Sequence, residues 1–228
     1  MDFAEAFAAA LRLLINRDPH VLSAVAISLQ VALLATGLAT LFGTPIGFAV
    51  GTREFRGRRI AELVLNTSTA LPTVVVGLLA YALLSRRGLL GPLGLLYTPA
   101  AMVIGQTILV TPLVGALTMA VVSGADPRIR ETALTLGARR FGAALTVMAE
   151  MRRGLLAAVA TVFGRLLSER GIALMVGGNI QDSTRTMTTA IALETSKGDF
   201  ALALALGLIL LVVALAVNAG AAVLAPAR

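Results

Sequence analysis

The sequence has no cysteine, a single histidine (His20), a single lysine (Lys197), and charged residues at only 14% of its positions. The lack of cysteine excludes disulfides and thiolate metal sites, and it says nothing about compartment. One histidine excludes any two-histidine metal motif, so metalloprotease chemistry is not available. No Gly-x-Ser-x-Gly elbow occurs, and no pair of aspartates falls in an apolar stretch, so an intramembrane hydrolase has nothing to work with. The phosphate-cradling Gly-x-x-x-x-Gly-Lys-Ser/Thr pattern is absent, and the chain does not bind ATP in that way. No cofactor or metal is expected. No basic run is interleaved with aromatics, so nucleic acid is not an expected partner despite a pI of 11.3. The start Met1-Asp2-Phe3-Ala4-Glu5 lacks the basic region of a signal peptide.

What is present is apolar. Hydrophobic residues make up 57% of the 228 positions, and the mean hydropathy is +0.89. Crossing a hydrocarbon core takes about 20 helical residues, and the sequence predicts five such stretches, at about 21–51, 60–85, 99–122, 155–176 and 201–224. A membrane barrel would alternate apolar and polar residues instead. The expected fold is therefore an all-α membrane protein in one domain, 1–228, with lipid around it. Residues 3–15 place Phe3, Phe7, Ala10 and Leu14 near one face, which predicts an interfacial helix ended by Asp18-Pro19. Thr44-Pro45 should kink the first span, and Pro72 lies near the middle of the second. Residues 86–98 and 177–200 read as loops.

The arginines orient the chain. The 52–59 loop, the 124–153 segment and Arg228 carry eleven basic residues between them, against six at the other end (Arg12, Arg17, Arg86, Arg87, Arg185 and Lys197). Positive-inside bias places the C-terminus in the cytoplasm and the N-terminus outside. No internal repeat is visible, so a two-fold pathway needs a second copy of the chain.

The 124–153 segment is polar and patterned. Asp126 suits an N-cap and Pro127 the first helical position. Gly137 supplies a left-handed residue to end that helix near Leu136, and a second helix starts near Arg139. Within it, Glu131-Thr132-Ala133, three residues and then Gly137 resemble the coupling motif of bacterial ATP-binding-cassette (ABC) importer permeases, Glu-Ala-Ala, three residues, Gly. The resemblance implies that this helix, with Arg139 and Arg140 behind it, docks on a separate ATPase subunit. The sequence departs from the family at Thr132, where alanine is usual, and at Ala149-Glu150, where the family carries Leu-Pro.

A closer resemblance covers most of the chain. Leu71-Pro72-Thr73-Val74-Val75-Val76-Gly77-Leu78 and Phe163-Gly164-Arg165-Leu166-Leu167-Ser168-Glu169 are similar to motifs of the molybdate and tungstate permeases. Leu174–Ile180 and Met187–Thr195 look most like the tungstate members, while Arg170 stands where an apolar residue is expected. This implies a non-hydrolytic permease in a prokaryotic cytoplasmic (inner) membrane. Its partners would be a second copy, an ABC ATPase and an extracytoplasmic oxyanion-binding protein.

Arg165 and Glu169 are four apart in the fourth span, which predicts one shared helical face. An unpaired charge at such a depth costs about 2.5–3.5 kcal/mol on insertion scales. The pair is therefore expected to face the bundle interior, as a gate or as a static ion pair. Pro72 and Thr73 join the pathway if the backbone groups freed by the proline line it. Gly77, Gly105 and Gly115 read as close helix contacts. The hydroxyl cluster at 183–189, with Ser183, Thr184, Arg185 and Thr188, reads as a solvated outer loop and the natural surface for a binding protein. A passive channel would not need a structured docking helix.

Overall fold

The computed structural model describes residues 7, 8, 11, 12, 15, 16 and 18–224. Most of the expected interfacial helix over 3–15 lies outside the described residues, as do Arg17 and Arg228, which entered the charge count. Phe7, Leu11 and Ile15 are described, and they are exposed.

From residue 18 onward the chain forms ten α-helices and one 3-10 turn, with no strand among the described residues. Helix α1, Pro19–Thr52, starts where Asp18 Oδ1 accepts the N–H groups of His20 (2.9 Å) and Val21 (3.2 Å), with Pro19 at the first position. It runs unbroken through Pro45. Helix α2 (Arg58–Ser68) and helix α3 (Thr73–Leu84) follow, then the 3-10 turn Gly91–Leu93 and helix α4 (Pro99–Ser123). Helices α5 (Pro127–Thr135) and α6 (Arg140–Glu150) form the expected helix–turn–helix. Helices α7 (Arg152–Leu167), α8 (Gly171–Gly177), α9 (Met187–Lys197) and α10 (Phe200–Leu224) complete the chain.

Helices α1 and α4 form a parallel pair that frames the molecule. Their contacts advance together: Gly43 meets Thr111 and Val114, Gly47 meets Gly115 and Thr118, and Gly51 meets Met119 and Val122. Small residues at every fourth position let the two backbones touch. The approach is so close that a Cβ on Gly47 would lie 2.1 Å from the Gly115 carbonyl oxygen. Around this frame, apolar residues of α3, α7, α8, α9 and α10 close one continuous core that includes Val31, Met102, Val162, Ile172 and Leu206.

By length and composition, α1, α4 and α10 can each cross a membrane, three spans in place of the five expected, or four if the bent pair α2–α3 counts as one broken span. Two expected spans are interrupted. The second bends by 99° between α2 and α3, because Pro72 lacks an N–H and drives Leu71 away from helical geometry. The stretch 155–176 is divided between α7 and α8 by a break at Ser168, Glu169 and Arg170. The expectation of irregular chain over 177–200 is also corrected. Only 178–186 and 198–199 are irregular there, since Thr186 and Thr189 form a capping box that starts α9.

The two ends of the molecule are distinct. At one end the loop after α1 adjoins the start of the helix–turn–helix, with Ser123 Oγ 3.5 Å from the Gly51 carbonyl. The arginine-rich loops 52–59 and 124–153 therefore share an end. At the far end His20 contacts Gln181 (2.8 Å) and Asp182 (3.5 Å), and Tyr97 N–H donates to the Val176 carbonyl (2.8 Å).

Candidate functional site

The first candidate region is the α5–α6 hairpin. Asp126 Oδ1 accepts the Arg128 N–H at 2.9 Å and caps α5. Gly137 sits at φ +90°, a left-handed conformation that ends α5 with Ala138 N–H on the Ala133 carbonyl (3.0 Å). Ala133 is buried in the hairpin, while Glu131, Thr132, Arg139 and Arg140 are exposed. Among the described residues none of these four charged or polar side chains has a hydrogen bond or ion pair of its own. Leu136 and Phe141 are 83% and 75% exposed at the tip. A cavity of about 240 Å³ joins Arg130 and Glu131 to Gly51, Thr52 and Val122 at the ends of α1 and α4. The hairpin thus offers a basic, partly apolar outer face while resting on the frame.

The second region lies where the two helix breaks meet. A Cβ placed on Gly171 would lie 2.8 Å from Thr73 Oγ1 and 3.2 Å from Glu169 Oε1. The residues after Pro72 therefore adjoin those after Glu169. Glu169 is 8% exposed, and its Oε1 accepts the N–H groups of Gly171 (2.8 Å) and Ile172 (3.4 Å). Two donors at the start of α8 compensate the buried carboxylate.

This corrects the expected geometry of Arg165 and Glu169. Helix α7 ends at Leu167, so the two residues share no helical face. Arg165 is exposed and forms no ion pair with Glu169. The sequence Ser168-Glu169-Arg170 favours the break locally, since Ser168 Oγ donates to the Arg165 carbonyl at 2.8 Å in competition with the helix ladder. Pro72, Thr73 and Glu169 are brought together; Arg165 is not among their contacts.

The third region is the hydroxyl cluster at 183–189, which is not the expected solvated loop. Thr184 is fully buried; it donates to the Gly177 carbonyl and accepts the Ile180 N–H at 3.0 Å. Thr188 donates to the Glu169 carbonyl at 3.0 Å, which turns it toward the break. Thr186 and Thr189 are buried in their capping box. Ser183 is exposed, and Arg185 is half-buried with Nη1 4.0 Å from Glu194 and 3.4 Å from Gln181.

Residues not anticipated from the sequence are Ser28, Glu194 and the Thr186–Thr189 box. Ser28 lies buried in α1, donates to the Ala24 carbonyl and accepts the Met187 N–H, both at 2.8 Å. Glu194 is buried with Lys197 Nζ at 3.0 Å. A lone acid in a threonine-rich stretch and a lone serine in an apolar one were the available signals.

The described residues form a helical membrane protein with broken spans and a basic hairpin at one end. The sequence profile of the binding-protein-dependent transport system inner membrane component matches residues 43–228. The chain belongs to that family, and its members are inner-membrane permease subunits that are not themselves hydrolytic. It is 41% identical over 216 residues to the tungstate uptake system permease protein TupB of Peptoclostridium acidaminophilum, covering 95% of each chain. It is 42% identical to TupB of Campylobacter jejuni, covering 86% of this chain and 82% of that one. The molybdenum transport system permease protein ModB of Azotobacter vinelandii is a more distant relative, 30% identical over 75% of this chain and 80% of its own. A bacterial ABC transporter for the acidic polysaccharide alginate shares the fold, with a TM-score of 0.72 at 17% identity, covering 94% of this chain and 81% of that one.

Proposed function

We propose that this chain is the permease subunit of a tungstate importer, working as two identical copies with an ABC ATPase and an extracytoplasmic oxyanion-binding protein. The observation that carries the substrate is the gap in identity: 41–42% to tungstate permeases over most of the chain, against 30% to a molybdenum permease. The homodimer is favoured by chemistry. Half a pathway would leave Arg165 and Arg170 against lipid at high cost, and a second copy offers a polar neighbour.

In this reading Glu131, Thr132, Ala133 and Gly137, with Arg139 and Arg140, form the ATPase dock. Free charges and two exposed apolar side chains on a rigid hairpin suit such a contact. Pro72, Thr73, Arg165 and Glu169 belong to the gate region. Ser183 and Arg185, on the far-end loop, meet the binding protein; Thr184 and Thr188 support that loop from within.

The test is uptake by the reconstituted complex with its ATPase and the binding protein encoded beside it. Tungstate uptake that requires ATP and is outcompeted poorly by molybdate and sulfate supports the reading. Preferential molybdate or sulfate uptake reassigns the substrate, and uptake without the ATPase supports a channel instead.

A further inference from the structure

Helix α9 connects parts of the molecule that the gate region and the far-end loop leave separate. Its first turn is held on two sides. Met187 N–H donates to Ser28 Oγ of α1 at 2.8 Å, and Thr188 Oγ1 donates to the carbonyl of Glu169 at 3.0 Å. Among the described residues, that second bond is the only hydrogen bond that reaches the 168–170 break from another element. The break is otherwise held from within α7 and α8, through Ser168, Glu169 and the Arg170 carbonyl.

The far-end loop runs directly into the first turn of α9, and Arg185 of that loop is also tied to the later part of the helix. Glu194 is buried, accepts from Lys197 at 3.0 Å and stands 4.0 Å from Arg185, which lies in that loop. The carboxylate is the buried member, and losing these partners would leave it unpaired, which is costly. The helix between is 11 residues long, with a capping box at its start and Gly198 at φ +85° at its end. A capped helix of this length moves as a rigid piece.

We propose that α9 is a strut that sets the position of the 168–170 break, with Thr188 and Ser28 as its positioning residues and Arg185–Glu194 as its tie to the far-end loop. A displacement of that loop by a docked partner then reaches the gate region through one hydrogen bond to the Glu169 carbonyl. The strut rests on the reading of this chain as an ATP-driven importer permease.

The test uses the complex of permease, ATPase and binding protein in liposomes, with tungstate as the probe. The measured quantity is ATP hydrolysed per tungstate taken up. Thr188→Val keeps the side-chain shape and removes the donor. It is expected to raise that ratio about fivefold, the effect of one lost net hydrogen bond, with extraction yield near that of the wild type. Thr188→Ser restores the hydroxyl and should restore the ratio. Ser28→Ala should shift the ratio in the same direction as Thr188→Val. A ratio unchanged in Thr188→Val, including one measured on a reduced yield of folded protein, overturns the strut and leaves Thr188 as packing. A ratio not restored by Thr188→Ser overturns it as well. A wild-type complex whose hydrolysis is stimulated by none of tungstate, molybdate or sulfate overturns the importer reading and the strut with it. Stimulation by molybdate or sulfate alone reassigns the substrate, and the ratio is then measured with that oxyanion.

Discussion

Two helix pairs in this molecule are built in opposite ways. Helices α1 and α4 are continuous, parallel and joined along a seam where a Cβ on Gly47 would meet a backbone carbonyl at 2.1 Å. Helices α3 and α8 also pack on each other, but each begins at a break in a span. Their close contact is softer: a Cβ on Gly77 would lie 2.9 Å from Met175 Sδ, the flexible end of a side chain. Backbone cannot yield to an added methyl, whereas a methionine can repack. The first seam is backbone against backbone, and the second has a side chain that can give way.

That contrast gives the largest predicted effect. Gly47→Ala should reduce folded, detergent-extractable protein by more than about tenfold, because the added methyl overlaps backbone and forces the seam apart. Gly77→Ala should lose little, and size-exclusion yield of the two variants side by side is the check. Equal losses would mean that both pairs are equally rigid.

The hairpin sharpens the comparison from the other side, since Glu131 is exposed and, among the described residues, unpaired, where Glu169 is buried and satisfied. Gly137→Val forces a β-branched residue into φ +90°, a left-handed position that costs about 1–2 kcal/mol for a residue with a Cβ. Glu131→Lys reverses an exposed charge without touching the fold. Both should lower retention of the ATPase partner on membranes, with the permease itself still inserted. Normal retention and uptake in both variants would show that the dock lies elsewhere.

Smaller effects are expected at the break. Glu169→Ala removes the acceptor for two N–H groups at the start of α8, a loss of about 1 kcal/mol by analogy with other N-caps. The variant should unfold a few degrees lower. If the arrangement that this carboxylate supports is the resting one, it should also hydrolyse more ATP in the absence of binding protein. Glu169→Gln keeps an acceptor and should lie between the two.

The parts legible in the sequence share a physical trait: they depend on local chemistry. Asp126, Pro127 and Gly137 define α5 by capping and backbone geometry alone, and the structure places that helix within a residue of the expectation. Gly105 and Gly115 were also legible, because small residues in apolar helices mark close contacts: Gly115 lies on the α1–α4 seam, and Gly105 packs on Ile172 of α8. What was not legible depends on competition between elements. Glu169 had two ways to be satisfied, an arginine four residues back or the N–H groups ahead of it, and spacing alone favoured the arginine. Thr184, Thr186 and Thr189 are a different case. They looked like solvated hydroxyls, yet their partners are local, with Thr184 bonded to Gly177 and Ile180 and Thr186 and Thr189 in a capping box, three residues apart. Thr188 was hidden by distance, since its acceptor is 19 residues away in sequence.

The smallest predicted effect on folding is at Arg165, and it separates the two views of this residue most cleanly. Had Arg165 and Glu169 paired on one helical face, removing either would strand the other as a poorly solvated charge, and the two single variants would be destabilised alike. In the structure the Glu169 carboxylate is satisfied by Gly171 and Ile172 without Arg165. Arg165 lies in the last turn of α7, where a cation gains only a modest interaction with the helix C-terminus. Arg165→Ala should therefore leave thermal stability nearly unchanged while Glu169→Ala lowers it. The double variant should equal the sum of the two within about 0.5 kcal/mol, the range for independent sites. Coupling is a separate measurement. If Arg165 faces the second copy across the proposed pathway, Arg165→Ala will change ATP used per solute at an undiminished yield. A double-variant stability that departs well beyond additivity would mean that the two residues do interact, in a state other than the one described, and would return the ion pair to the mechanism.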